Sequence, residues 1–142
     1  MLKGIPTIIS PELMKVMMEM GHGDEIVIAD GNFPATSHGK RCIRSDGNDI
    51  PKILDAILKF MPIDTYIQNP ITLMEVCEDD PVNPVIWKQY QEILGKYKYT
   101  GNLNKIDRFE FYNRAQKAYA IVATSEKAQY ANIIISKGVV LL

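Results

Sequence analysis

The chain has 142 residues, a formal net charge of −1 and 46% hydrophobic residues, enough for one domain with a real core. The near-neutral balance argues against a general nucleic-acid binder, which carries a basic excess, and no apolar run reaches the length of a membrane span. Cys42 and Cys77 have no ligand-type spacing and the N-terminus has no signal-peptide pattern, so the chain reads as a reduced, cytoplasmic protein, and its low charge favours a homo-oligomer.

Ser10-Pro11-Glu12 predicts a helix start, with a cap, a first-turn proline and an acidic residue at the positive end of the dipole. Leu13, Val16, Met17 and Met20 then share one face, and Gly21 stops the helix. Met17, Met18 and Met20 read as core packing despite their sulfur-rich appearance. Glu25 to Ala29 predicts a strand covered on both faces. Asp30 to Asp49 reads mostly as loop, with a short strand near Arg41 to Arg44. Pro51 opens a second helix, which carries Ile53, Leu54, Ile57, Leu58 and Met61 and ends at Pro62.

Ile71 to Cys77 predicts a further strand, and Glu78-Asp79-Asp80 a solvated acidic turn. Asn83-Pro84 starts a helix with Ile86, Trp87, Tyr90, Ile93 and Leu94 inward. Lys96 to Asn104 is a polar connection. Arg108 to Lys117 reads as helix, Tyr119 to Thr124 as strand, Ser125 to Ala131 as loop and Asn132 to Ile135 as a last strand. Alternating helices and short apolar strands predict an α/β layered domain. Gly21-x-Gly23 precedes a strand and lacks a third glycine, so it is not a dinucleotide fingerprint.

Four places could carry chemistry. His22 lies between two glycines just before a strand, and histidine titrates nearest neutrality. Asp30 ends that strand, where α/β sheets place their ligands. Together they put a proton carrier and a carboxylate in one short block, which suits a small polar substrate. Arg108 offers a rigid fork of donors, against the plainer reading of a salt bridge to Asp107 or Glu110. Arg114 reads as a structural partner to a carboxylate. Tyr130 and Asn132, at i and i+2 before an apolar strand, point the same way and can bond hydroxyls. His38 sits in a loop and is not assigned a role. The two histidines do not form a zinc spacing, and Ser37 lacks a nucleophile-elbow setting.

In order along the chain, Ile9-Ser10-Pro11-Glu12-Leu13, Met20-Gly-His-Gly-Asp-Glu-Ile26, Ala29-Asp30, Asn32-Phe-Pro-Ala35, Arg108-Phe109, Phe111-Tyr112, Arg114-Ala-Gln-Lys-Ala118, Tyr130, Asn132-Ile133 and Lys137-Gly-Val139 resemble the D-ribose pyranase/L-fucose mutarotase family. The resemblance runs nearly end to end. Arginine followed by Phe-x-Phe-Tyr-x-Arg-Ala resembles the fucose branch, whereas the ribose branch has a histidine in that region. The resemblance implies a single three-layer αβα domain around a central sheet, of the RbsD/FucU kind. It also implies His22 as proton donor, and Asp30, Arg108, Tyr130 and Asn132 as the sugar-binding residues. It further implies L-fucose as substrate, no metal or organic cofactor, and a ring-type homo-oligomer such as a decamer with sites near subunit boundaries. Gly31, Thr36 and Ser125-Glu126 depart from the family's commoner residues and bear on which sugar fits. A ribose-type isomerase and a non-catalytic sugar-binding protein are the competing readings.

Overall fold

The computed structural model describes residues 1–142. In chain order the elements are α1 Pro11–Glu19, β1 Glu25–Ala29, α2 Ala35–His38, β2 Cys42–Ser45, α3 Ile50–Leu58, β3 Ile71–Met74, α4 Ile86–Lys96, β4 Asn104–Ile106, α5 Arg108–Lys117, β5 Ala120–Thr124 and β6 Ile133–Ser136.

Helix starts follow their caps. The Ser10 side chain accepts from the Leu13 N–H at 3.1 Å, with Pro11 in the first turn. Asp49 caps α3 by accepting from the Lys52 N–H, so that helix begins at Ile50, one residue before Pro51. It ends at Leu58 instead of Met61, and Met61 is buried in the turn that follows. The Asp107 side chain accepts from the N–H groups of Phe109 and Glu110, which fixes the start of α5 where the sequence placed it.

The six strands form one sheet in the order β2-β5-β1-β6-β3-β4. β2, β5 and β1 run parallel, as do β3 and β4, and only β6 is antiparallel to its neighbours β1 and β3. Five strands therefore end at one edge of the sheet, and β6 begins there. We call this the carboxyl edge and its opposite the amino edge. The register Ile28↔Ile133 puts Asp30 and Asn132 side by side at the carboxyl edge.

Alternation along the strands sends Ile26 and Ile28 to one face and Val27 and Ala29 to the other. The first face is covered by α1, α3 and α4 and holds a core of 25 buried residues; the second, under α2 and α5, holds 11. The smaller core is rich in alanine (Ala29, Ala115, Ala118, Ala123), which lets α5 lie close to the sheet. Beneath α5 the Arg114 guanidinium pairs with Glu25 and donates to Thr72 Oγ1, while Ser136 Oγ donates to the same Glu25. Arg114 is thus the structural partner of a carboxylate. Ile26, Ile53 and Ile133 are fully buried, and truncating one to alanine costs about 2–5 kcal/mol. Met17 and Met20 join the core, whereas Met18 is exposed.

Several boundaries differ from the sequence reading. β3 stops at Met74, not Cys77, because the chain leaves the sheet to form the loop that carries Asp80. The Asp30–Asp49 segment holds a one-turn helix, α2, seated by the burial of Ala35 and Phe33, and its strand is Cys42–Ser45. Asn104 ends the polar connection by opening β4, whose three residues are held mainly by pairing with β3. β6 starts at Ile133, one residue late. Cys42 and Cys77 are both free thiols. No helix is long and apolar enough to cross a membrane.

Candidate functional site

At the carboxyl edge the ends of β1, β3, β4 and β6 converge on an open cavity of about 300 Å³. Asp30, Asn32, Asp80, Arg108, Tyr112, Gln129, Tyr130 and Asn132 supply its polar groups, and Phe33 and Met74 are apolar members of its lining. Four of the five residues singled out in the sequence, all except His22, meet here.

Asp30 is 7% exposed and leaves β1 into a tight turn. Its N–H donates to Asn132 Oδ1 at 2.8 Å, and its Oδ1 accepts from the Asn32 N–H at 3.0 Å. Burial pushes the carboxyl above the usual carboxylate range, opposed by the hydrogen bonds from Asn32, Phe33 and Asn132. The next residue approaches backbone closely: a Cβ on Gly31 would stand 3.2 Å from the Glu126 carbonyl oxygen, which accepts from the Gly31 N–H at 2.9 Å, so a side chain there requires a small shift of that carbonyl.

Tyr130 and Asn132 are placed by α4. Trp87 Nε1–H donates to the Tyr130 carbonyl at 2.8 Å, and Tyr90 Oη–H donates to the Ala131 carbonyl at 2.6 Å. Tyr90 is fully buried, which pushes its phenol strongly upward and keeps it a donor. These two side chains, one turn apart, hold Tyr130 at φ +55°, a region few non-glycine residues occupy. The Tyr130 phenol donates to Asp80 Oδ2 at 2.7 Å.

Arg108 opens α5. A cation there opposes the helix dipole, an arrangement that stability alone does not favour. Its Nε donates to Tyr112 Oη at 3.1 Å, and the guanidinium lies 5.3 Å from the Tyr112 ring centroid. Asp107 is occupied as the cap, and Arg108 takes part in no ion pair, so the salt-bridge reading of this residue does not hold.

His22 lies at the amino edge. Gly23 takes φ +85° and its N–H donates to the Lys137 carbonyl, turning the chain into β1. Asp24 and Asp30 bracket β1, and six residues of extended chain span about 20 Å. His22 Nε2 is 3.1 Å from Oδ1 of Asp64, which is 2% exposed, and its ring centroid is 5.2 Å from that of Tyr66. Burial drives the Asp64 carboxyl upward, but the Tyr66 N–H and His22 outweigh it and hold the group below the usual range. The imidazole is itself 44% exposed, so it is aimed outward by a buried carboxylate. Within one chain, His22 and Asp30 do not share a site. His38 is nearer the cavity: on α2, its ring centroid lies 5.2 Å from that of Tyr112 and 6.3 Å from that of Phe33.

A larger concavity of about 1,140 Å³ lies between the N-terminal segment and α1. Leu2, Ile5, Met14 and Met18 line it, and it lacks the convergent polar groups a sugar needs.

Four residues at the two edges escaped the sequence reading: Tyr112, Asp80, Asp64 and the carbonyl clamp Tyr90. Tyr112 had a usable signal, its i+4 spacing from Arg108. Asp80 and Asp64 pair with residues 50 and 42 positions away, which no local pattern reveals.

The sheet order, with its one reversed strand, and the polar cavity at the carboxyl edge define an α/β protein with a small-ligand site where strand ends meet. The family model described as the RbsD / FucU transport protein family matches residues 3–140, and the chain belongs to that family. It is similar to the fucose mutarotase of Homo sapiens, 48% identical over 99% of this chain and 96% of that protein. It is also similar to the L-fucose mutarotase of Haemophilus influenzae (strain 86-028NP), 47% identical over 98% and 97%. The fold superposes on the crystal structure of the fucose mutarotase in complex with L-fucose from Streptococcus pneumoniae with a TM-score of 0.94. That pair is 48% identical over 99% of this chain and all of the other.

Proposed function

We propose that this protein is an L-fucose mutarotase, an isomerase that exchanges the α and β anomers of the sugar. The observation that carries the reading is the mixed lining of the cavity: a carboxylate, a guanidinium, phenols and an amide stand together with the apolar Phe33 and Met74. Such a site suits a 6-deoxy sugar, with hydroxyls on the polar groups and the methyl group against the apolar residues. Ribopyranose has no methyl group to place there. The similarity to proteins named fucose mutarotases supports the same choice.

Anomer exchange opens and recloses a hemiacetal. The anomeric hydroxyl loses its proton, the ring oxygen gains one and the C1–O5 bond breaks. The C1–C2 bond rotates, and the ring closes on the other face with the proton transfers reversed. Asp30 accepts hydrogen bonds from sugar hydroxyls and fixes the ring. Arg108 stabilises charge as it builds on oxygen. Tyr130 and Asn132 complete the cradle. An acid/base that titrates near neutrality serves both proton transfers, contributing about 10²–10⁴-fold.

In our reading His22 is that group, and it acts on the cavity of a neighbouring copy in a homo-oligomer. Its placement supports this: the imidazole is oriented by Asp64 toward solvent, beside the exposed apolar Tyr66 and Ile67. The cavity mouth carries a matching exposed apolar residue, Phe109, next to Arg108. One observation favours a second reading, in which the rim residue His38 serves its own chain's cavity.

Saturation-transfer NMR on L-fucose, with D-ribose in parallel, tests the function. Faster fucose exchange is the expected result. Acceleration of ribose alone would move the protein to the pyranase side, and binding without acceleration would make it a sugar-binding protein.

A further inference from the structure

Tyr130 is an expensive residue to place, and its phenol is tied down as firmly as its backbone. In the loop after β3, the Asp80 Oδ1 accepts from the Val82 N–H at 3.1 Å, which fixes the carboxylate. Its other oxygen, Oδ2, is aimed at the Tyr130 hydroxyl, 2.7 Å away. No lysine or arginine neutralises Asp80. An ionised carboxylate is an acceptor only, so the phenol proton must point at it. The phenolic oxygen then keeps its acceptor capacity for the cavity. The Cys77 N–H donates to the same oxygen through a long bond of 3.4 Å, which leaves the second lone pair for the cavity.

We infer that Asp80 is a positioning residue that sets the hydrogen-bond polarity of Tyr130, making it an acceptor for a sugar hydroxyl and a filter against sugars that lack a donor there. The inference rests on the sugar-binding reading of the cavity. It assigns a purpose to a residue that the sequence presents as part of a solvated acidic turn. It also gives the cavity a definite pattern: Arg108 donates, Asp30 and Tyr130 accept, and Asp80, although it lines the cavity, has both oxygens engaged by Val82 and Tyr130. A hydroxyl replaced by hydrogen or by a methoxy group leaves Tyr130 facing no donor. The bond to Asp80 also pushes the phenol up to about 12.

The test is L-fucose affinity, measured by NMR titration independently of exchange, in the wild type, Asp80→Ala, Asp80→Asn, Tyr130→Phe and the Asp80→Ala/Tyr130→Phe double variant. Asp80→Ala should weaken binding about 10-fold, the scale of a charge-assisted hydrogen bond. Asp80→Asn, whose carbonyl oxygen can accept the same proton, should recover to within about 3-fold. The double variant should bind no worse than Tyr130→Phe alone, because Asp80 acts through the phenol. Wild-type affinity in Asp80→Ala, or additive losses in the double variant, would overturn the inference. The Tyr130 ring carbon beside the hydroxyl, followed by NMR against pH, provides a readout that needs no sugar. Its titration should fall toward the ordinary phenol range in Asp80→Ala; an unchanged titration would also overturn the inference. Absence of sugar binding by the wild type would refute the sugar-binding reading instead, and the phenol titration would still decide whether Asp80 governs Tyr130.

Discussion

The two edges of the sheet are built differently. The carboxyl edge is concave and rich in convergent polar groups: a buried carboxylate, a helix-opening arginine, and a tyrosine held in a strained conformation by α4. The amino edge holds an exposed imidazole backed by a buried carboxylate, and the cavity of about 480 Å³ near it, between the end of α3 and the C-terminal residues, is mainly apolar. In the proposed reading the first edge grips the ligand and the second exchanges a proton. A second copy of the chain would bring the two together, which would give the proposed oligomer a chemical purpose.

The sharpest way to break that division is to remove one histidine at a time. His22→Ala should lower anomer exchange by about 10²–10⁴-fold with sugar binding retained, whereas His38→Ala should change exchange by less than about 3-fold. Exchange rates from saturation transfer decide, and the opposite ranking would move the acid/base to the rim of the chain's own cavity. Next in size, Arg108→Lys should cost about 10-fold or more in exchange, because an ammonium cannot reproduce the planar fork or stack on Tyr112. The same NMR assay checks it at matched sugar saturation.

Tyr90→Phe should cost about 1–3 kcal/mol, because it leaves the buried Ala131 carbonyl without its donor. Urea denaturation measures the loss, and an unchanged midpoint would show that α4 does not hold the loop. The smallest effect is on stability at Asp30. Its folded-state pKa is raised, so folding favours the neutral form. That contribution is full below the ordinary carboxyl range and is lost as pH rises through the raised value. Above that raised value the ionised Asp30 works against the fold. Asp30→Asn should raise the melting temperature by about 2–4 °C at pH 7 while impairing sugar binding, with little stability gain near pH 4. A lower melting temperature at pH 7 would contradict this.

Much of the fold was legible because local rules and packing agree. Ser10-Pro11 and Asp107 cap α1 and α5 where the sequence placed them, and the Ile-Val-Ile run of β1 is covered on both faces as its continuity implies. α2 and β4 were not legible. The one-turn helix is seated by Phe33 and Ala35, and β4 has only Asn-Lys-Ile to announce it. The cavity was half legible: Asp30, Tyr130 and Asn132 stand at strand ends, and ligands gather there in α/β sheets. Its supports were not, because the Trp87 and Tyr90 donors look like apolar helix residues in one dimension. The pairing of His22 with Asp30 in one short block was a matter of sequence distance. A strand lies between them and carries them to opposite edges.

The most direct test of the division between edges is subunit complementation. Purified His22→Ala and Asp30→Asn proteins, each impaired alone, are dissociated, mixed in equal amounts, reassembled and assayed for L-fucose anomer exchange. If His22 serves a neighbour's cavity, random mixing gives sites with both functional residues, and activity should recover to about a quarter of the wild type. If both residues belong to one chain's site, every site stays defective and the mixture remains as impaired as its components.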